Sequence, residues 1–153
     1  MPKIFRTMFA IDGSPEIGRE ANKLGVRLPT PGLPEERVDI TPDNNGIVYP
    51  RLGGLSVAKS VDDLPPHTVP KYFKSVVQGA SASDNRFVWS MGNGSFSEGG
   101  IAHKLILRLK PMRSDGKVQG LVEPAKQMFV EDYQSSLAAT QSLWSIDEPM
   151  LRI

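Results

Sequence analysis

The sequence predicts a single α+β domain whose strands pair mainly in an antiparallel manner. Strand-like segments outnumber helix-like ones, and they occur in clusters rather than in regular alternation with helices. At 153 residues the chain is long enough to bury a substantial core, and we expect one domain over residues 1–153. A hydrophobic content of 39% and a charged content of 23% are ordinary for a soluble globular protein.

The first third of the chain predicts a strand, a short helix and a long loop. Residues 3–11, KIFRTMFAI, are rich in β-branched and aromatic side chains and predict the first strand. The Ser-Pro-Glu run at 14–16 combines a capping hydroxyl, a proline suited to the first helical turn and an acid, so a helix is expected over residues 15–24. Residues 28–45 contain four prolines and few apolar positions, which favours a surface loop.

Two adjacent glycines, Gly53 and Gly54, separate short predicted strands at residues 46–49 and 55–58. One glycine would suffice for a hairpin turn, because glycine tolerates a positive φ. The second glycine predicts that something approaches the backbone closely at this point, with an ordinary turn as the alternative. A helical turn capped by Ser60 is expected to follow.

The second half of the chain predicts three further strands and a last helix. The strands are expected at residues 86–91, 103–109 and 118–123, and residues 71–78 are expected to be helical. From residue 128 onward, large apolar side chains recur mostly on one helical face, with acids near the start of the helix. The residues assigned to this core face are Phe129, Tyr133, Leu137 and Trp144.

Charge and composition exclude several classes of function. With 18 basic and 17 acidic side chains the net charge is +1, which leaves no electrostatic signature of nucleic-acid or anionic-membrane binding. The absence of cysteine excludes disulfides, thiolate metal sites and cysteine nucleophiles. No apolar run approaches the ~20 residues of a membrane span, and the N-terminus lacks the apolar core of a secretory signal. A soluble protein is expected, one that would be exported only by a route without a cleaved signal.

Common catalytic motifs are weak or absent. His67 and His103 have no further ligands at suitable spacing, so no metal site is expected. Ser56 lies in G-L-S-V-A, a degenerate form of the nucleophile elbow of hydrolases. The elbow requires a strand, a sharp turn and a helix, whereas Ser56 falls within an apparent strand, so this reading is disfavoured.

Two charged residues on predicted strands are more informative. Arg6 lies between Phe5 and Phe9, where a guanidinium is costly unless it meets an anion or a carboxylate, so a structural salt bridge and an anion site are both open. Glu123 ends an apolar strand just before a proline, which places a carboxylate at a sheet edge. Simple solvent exposure is the alternative for Glu123.

Three segments of the chain resemble the type VI secretion exported effector two family, a bacterial toxin family with fungal relatives and an ADP-ribosyltransferase-like fold. The segments occur in the same order as in that family. KIFRTMFA is similar to the opening strand of the family with its arginine, here Arg6. NNGIVYPRLGGLSV is similar to a pattern that ends in Gly-Gly-x-Ser-Val, and VEPAKQMFVEDYQSSL to a strand ending in Pro-Ala-Lys-x-Met before a helix. The resemblance implies two small, mostly antiparallel sheets around a cleft, with a few helices.

The resemblance also implies an NAD site. Arg6 would hold the pyrophosphate, for which a planar cationic fork is suited. Gly53 and Gly54 would make room for the dinucleotide, and Ser56 would bind the nicotinamide ribose or orient the catalytic acid. Glu123 would be that acid, stabilising the positive charge that develops on the ribose as nicotinamide departs.

The implied function is that of an NAD-dependent toxin or effector that transfers ADP-ribose to an acceptor. NAD glycohydrolysis and a catalytically silent binding module with the same fold are the alternatives. Two departures from the family pattern put activity in question, because Leu55 replaces a hydroxyl residue and Gln119 replaces a histidine. The acceptor is open, an immunity protein is a conceivable partner, and the implied place of action is the cytoplasm of a target cell.

Overall fold

The structure is a computed structural model that describes residues 1–148. Its strands in chain order are β1 (Ile4–Ile11), β2 (Ser14–Pro15), β3 (Ile47–Val48), β4 (Leu55–Ala58), β5 (Arg86–Met91), β6 (Gly99–Ile101), β7 (Leu105–Leu109), β8 (Gln119–Pro124), β9 (Met128–Phe129) and β10 (Ser145–Asp147). The helix α1 spans Val130–Ala139. Short 3-10 turns lie at Glu35–Arg37, Val61–Asp63, Pro66–Thr68, Lys71–Phe73 and Gln141–Leu143. The predicted α+β class is confirmed.

Most of the strands form one curled sheet. Its order is β10-β5-β1-β4-β8-β7-β6, with β2 paired to β1, and β3 and β9 form a separate pair. Each of these strand pairings is antiparallel, as the sequence predicts. The prediction of two small sheets needs correction, because β1 hydrogen-bonds along both edges and so joins the two halves. That junction is narrow, since β1 and β4 share a single residue pair, Phe5 with Ala58.

The two faces of the sheet are buried in different ways. One face packs under α1, where Ile4, Met8 and Leu55 join the largest core cluster. The other face packs under the segment that contains the 3-10 turns between β4 and β5, where Phe5 and Ala58 lie in a second cluster. Alternation of side chains along β1 produces this division, because successive residues of a strand point to opposite faces. None of the helices that the structure describes is long and apolar enough to cross a membrane.

The helix predicted over residues 15–24 is wrong. Residues 14 and 15 pair with the end of β1 as β2, and the segment that follows consists of turns joined by a bridge between Ile17 and Leu24. The amide of Glu16 donates to the carbonyl of Phe9, and the amide of Leu24 donates to the carbonyl of Glu16. Hydrogen bonds to the neighbouring strand thus replace those of a helix, and the local capping signal does not decide the structure.

Smaller differences occur elsewhere along the chain. Of the helix expected over 71–78, only the 3-10 turn Lys71–Phe73 forms, followed by further turns. The strand expected from residue 103 begins at Leu105, because His103 and Lys104 have φ of 63° and 65° and form a turn. The helical turn after Ser60 is confirmed at Val61–Asp63.

The core face of the last helix is confirmed in part. Tyr133 and Leu137 are fully buried, as predicted. The assignment of Phe129 is wrong, since its side chain is 56% exposed and it pairs in β9 before the helix begins. Trp144 is buried as predicted, but it follows the end of α1 rather than lying on it.

Tyr133 links α1 to the sheet, and we expect Tyr133→Phe to destabilise the protein by about 2 kcal/mol. Its hydroxyl donates to the Val122 carbonyl of β8 and accepts from the Leu55 amide of β4 at 3.2 Å, in the buried core. Burial raises the pKa of Tyr133, so the hydroxyl stays protonated and keeps donating. Phenylalanine would remove both of these hydrogen bonds. Urea unfolding measures the loss, and Tyr72→Phe, at a partly exposed site, is the control; equal losses in the two variants would contradict this role.

Candidate functional site

A cavity of about 350 Å³ opens between β1 and β4. These strands diverge beyond the Phe5–Ala58 pair, so the edges of both are free to line a gap. The segment between β4 and β5 contributes Leu64, Pro65, His67 and Thr68 to its wall. Polar side chains from distant parts of the chain meet there, among them Arg6, Thr7, Arg27, Ser56, Arg86 and Gln119. The cavity therefore brings together two residues that the sequence singled out, Arg6 and Ser56.

Arg6 is held by backbone carbonyls. Its Nη1 donates to the Ser56 carbonyl at 2.8 Å, and its Nη2 donates to the Lys23 carbonyl at 3.0 Å. Among residues 1–148, no carboxylate lies within ion-pair distance of Arg6. The salt bridge left open by the sequence is thus not formed with the described residues. Because carbonyls carry no net charge, the positive charge of Arg6 is not neutralised by these contacts.

The surroundings of Arg6 disfavour its positive charge. Burial lowers its pKa to about 10, an effect that Asp39 opposes and Arg27 reinforces. Asp39 is already engaged, since its two carboxylate oxygens each accept from the Arg27 side chain at 3.1 Å. Arg6 still carries its charge at neutral pH, in a place where the charge is costly. An anion entering the cavity would offset that cost.

Close contacts with the protein's own backbone explain why residues 53 and 54 are glycines. A Cβ on Gly53 would lie 2.2 Å from the carbonyl oxygen of Asp39, and Gly53 has a φ of +118°. A Cβ on Gly54 would lie 2.5 Å from the carbonyl oxygen of Val122. The predicted close approach therefore exists, but it is made by two other segments of the chain. Neither glycine is among the residues that line the cavity.

Ser56 lies in the middle of β4 with its side chain exposed. Leu55 and Val57 on either side point into the core, so the serine points away from α1. The strand setting confirms that Ser56 is not on a nucleophile elbow, which needs a strand-to-helix turn. Of the two departures from the toxin pattern, Leu55 is a core residue, whereas Gln119 lines the cavity and donates to the Asp63 carbonyl at 2.9 Å.

Glu123 is buried rather than exposed. Only 1% of its surface is accessible, and its Oε1 accepts from Arg108 Nε at 2.8 Å and from the Arg51 amide at 3.1 Å. The ion pair with Glu123 raises the pKa of Arg108. This pairing explains how a carboxylate is tolerated in the interior. The alternative of solvent exposure is therefore wrong.

The structure brings Glu123 near the cavity without placing it in the lining. Ser56 is directly opposite Leu121 in the β4–β8 ladder, and Glu123 is two residues further along β8. Ser56 and Glu123 thus share a face of the sheet as diagonal neighbours, a relation that usually separates residues by about 7–8 Å. The carboxylate itself is turned to Arg108.

Thr7 and Arg86 line the cavity but were not singled out by the sequence. Thr7 is only 4% exposed, and its hydroxyl has no hydrogen-bond partner among residues 1–148. The Nε of Arg86 is likewise buried and has no partner in the described part of the chain. The sequence offered one sign of these two residues, because each lies in an otherwise apolar run, TMF in β1 and RFVW in β5. That signal does not distinguish an exposed polar side chain from a buried one.

A larger cavity of about 690 Å³ lies beside α1. It is lined by residues that include Lys104, Lys126, Phe129 and Asp132, and by none of the residues that the sequence predicted as a site. Over residues 1–148, no three histidine, aspartate or glutamate side chains are grouped so as to hold a metal ion. Comparison with protein-family models and with curated proteins found no match for the chain.

Proposed function

We propose that this protein binds NAD in the cavity between β1 and β4 and cleaves the bond between nicotinamide and ribose, as an ADP-ribosyltransferase-like toxin or effector. The observation that carries this proposal is the meeting of Arg6 and Ser56, 50 residues apart in sequence, in one cavity. Arg6 presents there a positive charge that no described carboxylate neutralises. Such a charge is suited to a diphosphate.

The composition of the cavity supports an anionic ligand. Three arginines and no carboxylate occur among the lining residues that the structure describes, and of these arginines only Arg27 is paired with an acid of residues 1–148. Buried polar atoms of Thr7 and Arg86 lack partners among the described residues, as expected of a site that completes its hydrogen bonds with a ligand. A volume of about 350 Å³ is at the lower end of the range of about 300–1,000 Å³ typical of ligand sites. One half of a dinucleotide would fill it, with the other half extending over the surface.

The order of the strands supports the finer fold proposal. Arg6, Ser56 and Glu123 lie on β1, β4 and β8, which are consecutive neighbours in the sheet. The narrow β1–β4 junction divides the sheet into two halves with the cavity at the division. We therefore propose an ADP-ribosyltransferase-like arrangement in which the two halves take the place of the two sheets that the resemblance implies.

In the proposed reaction the nicotinamide–ribose bond breaks with its electron pair retained by nicotinamide, and a nucleophile of the acceptor bonds to the ribose and loses its proton. Arg6 would bind the diphosphate through the N–H groups that its carbonyl partners leave free. The hydroxyl of Ser56 would orient the ribose. Glu123 would stabilise the positive charge that develops on the ribose, which requires its carboxylate to turn away from Arg108.

A catalytically silent binding module is the second candidate, and the pairing of Glu123 favours it. A carboxylate that is 1% exposed and held by Arg108 does not reach a ligand in the cavity without a rearrangement. Under this reading the cavity binds the dinucleotide and no bond is broken. Hydrolysis, with water as the acceptor, differs from transfer only in the final nucleophile.

Release of nicotinamide from NAD by the purified protein tests the proposal. Release at a rate above the uncatalysed background supports an enzyme, and release with ADP-ribose appearing on an added acceptor preparation distinguishes transfer from hydrolysis. Binding of NAD without release would support the silent module. Absence of both binding and release would overturn the proposed function.

Arg6→Ala is expected to weaken NAD binding by about 30- to 150-fold, which corresponds to the loss of about 2–3 kcal/mol from one charged contact. The variant also loses the hydrogen bonds to Lys23 and Ser56, so part of its effect will be a lower stability. Calorimetric titration at a temperature where the variant is folded separates the two effects. Arg37→Ala, at an exposed arginine away from the cavity, is the matched control. Unchanged affinity in Arg6→Ala would remove Arg6 from the site.

A further inference from the structure

Thr7 and Arg86 both line the cavity, and each has a buried side-chain atom that finds no hydrogen-bond partner among residues 1–148. Thr7 is on β1, directly after Arg6, and is 4% exposed with its Oγ1 unpaired. Arg86 begins β5 opposite Phe9, and its Nε is buried and unpaired. These residues are on adjacent strands, since Thr7 is opposite Val88, two residues from Arg86. Thr7 and Arg86 are therefore diagonal neighbours on one face of the sheet, and both belong to the cavity lining.

Unpaired buried donors of this kind are rare, because leaving a buried polar group without a partner costs stability. Most native proteins avoid the cost by pairing the group with protein or with water. Here both atoms belong to side chains that line a cavity large enough to admit a ligand. The cost is removed if a ligand supplies acceptor oxygens to both.

The charge around these two donors selects the class of ligand. The guanidinium of Arg86 lies 5.5 Å from the centre of the Phe9 ring and has no carboxylate within ion-pair distance among residues 1–148. Arg6, in the same cavity, likewise has no carboxylate of residues 1–148 within ion-pair distance. Two uncompensated guanidinium groups and an unpaired hydroxyl fit an anion with several acceptor oxygens. A phosphoryl group has that chemistry.

We propose that Thr7 and Arg86 form a second anion subsite in this cavity, which binds one phosphoryl group of a diphosphate while Arg6 binds the other. The identity of the ligand as a dinucleotide rests on the proposed function, whereas the subsite itself rests on the two unpaired donors. Arg86 and Thr7 are thereby assigned to substrate binding on β5 and β1, whereas Ser56 and Glu123 lie on β4 and β8.

The first test compares stability with binding in Thr7→Val. Valine has a similar shape and removes only the unpaired hydroxyl, so the ligand-free variant is expected to melt several degrees above the wild type. The same variant is expected to bind inorganic pyrophosphate on the order of tenfold more weakly. Thr7→Ser keeps the hydroxyl and is expected to bind within a few-fold of the wild type. A gain in stability together with a loss of affinity is the signature of a ligand group, and a merely structural hydroxyl would not produce it.

The second test removes the positive charge of Arg86. Isothermal titration with inorganic pyrophosphate is expected to show on the order of tenfold or greater loss of affinity in Arg86→Gln, and little change in the exposed control Arg37→Gln. Prior addition of NAD is expected to prevent pyrophosphate binding.

These tests separate the subsite from the proposed reaction. Pyrophosphate binding that depends on Thr7 and Arg86, with no nicotinamide release, would support the subsite and overturn the enzyme proposal. Nicotinamide release that is unaffected in Thr7→Val and Arg86→Gln would overturn the subsite and leave the enzyme proposal standing. Wild-type protein that binds no pyrophosphate would also overturn the subsite.

Discussion

Replacing Glu123 with glutamine is expected to lower the rate of nicotinamide release by about 10²- to 10³-fold, equivalent to about 2.7–4 kcal/mol of transition-state stabilisation. Glutamine can still accept from Arg108 and from the Arg51 amide, so the local structure should be retained. What the variant loses is the negative charge that the reaction needs as positive charge develops on the ribose. Turnover should therefore fall more than the Michaelis constant rises.

Arg108→Gln is the matched control for Glu123, because it removes the same ion pair and leaves the carboxylate in place. If Glu123 acts only in the fold, the two variants will lose stability and activity together. If Glu123 is catalytic, Arg108→Gln will retain the larger share of activity, since its carboxylate is free to turn toward the ribose. Full activity in Glu123→Gln would end the catalytic assignment.

Ser56 is expected to act on the same step as Glu123. The β4–β8 register makes the two residues diagonal neighbours on one face of the sheet. When residues act as a unit, the double variant of Ser56→Ala and Glu123→Gln is scarcely worse than the worse single variant. Strictly additive losses would indicate that the two residues do not share a site.

Trp144→Ala is expected to destabilise the protein by about 3–5 kcal/mol. Trp144 is 6% exposed, and its Nε1 donates to Thr140 Oγ1 at 3.1 Å. It belongs to the same core cluster as Tyr133 and Leu137 of α1, so truncation leaves a cavity between the end of the helix and the sheet. Denaturant unfolding measures the loss of stability. Circular dichroism is the probe, because the substitution removes the indole of Trp144 and so changes the tryptophan fluorescence.

Leu143→Ala is the control for Trp144, since Leu143 is its neighbour in sequence but is 39% exposed. That substitution is expected to change stability by less than about 1 kcal/mol. Trp144→Phe should fall between the two, because it keeps most of the apolar volume and loses the hydrogen bond. If Trp144→Ala melts like the wild type but no longer binds NAD, the indole stacks on the ligand instead.

Sequence reasoning about the candidate site singled out residues that stand out by their local chemistry. Arg6 was singled out because a guanidinium among phenylalanines needs a partner, and the structure gives it carbonyl partners at the edge of a cavity. The prediction that Glu123 lies at a strand end was correct, whereas its burial was not foreseen. That burial depends on Arg108 and on the Arg51 amide, which approach from other segments.

The sequence by itself determined the α+β class, the antiparallel pairing and most of the strand positions, and it indicated a close approach at the second glycine of the pair, Gly54. These features depend on neighbouring residues, such as runs of apolar and β-branched side chains or the missing side chain of glycine. Only the tertiary structure decided that residues 14–15 form a strand, and which backbone segments approach the glycines. It also decided that Arg6, Thr7, Ser56 and Arg86 meet in one cavity. The physical reason is that local preferences differ by only about 1 kcal/mol per residue, whereas burial and long-range hydrogen bonds depend on which strands become neighbours.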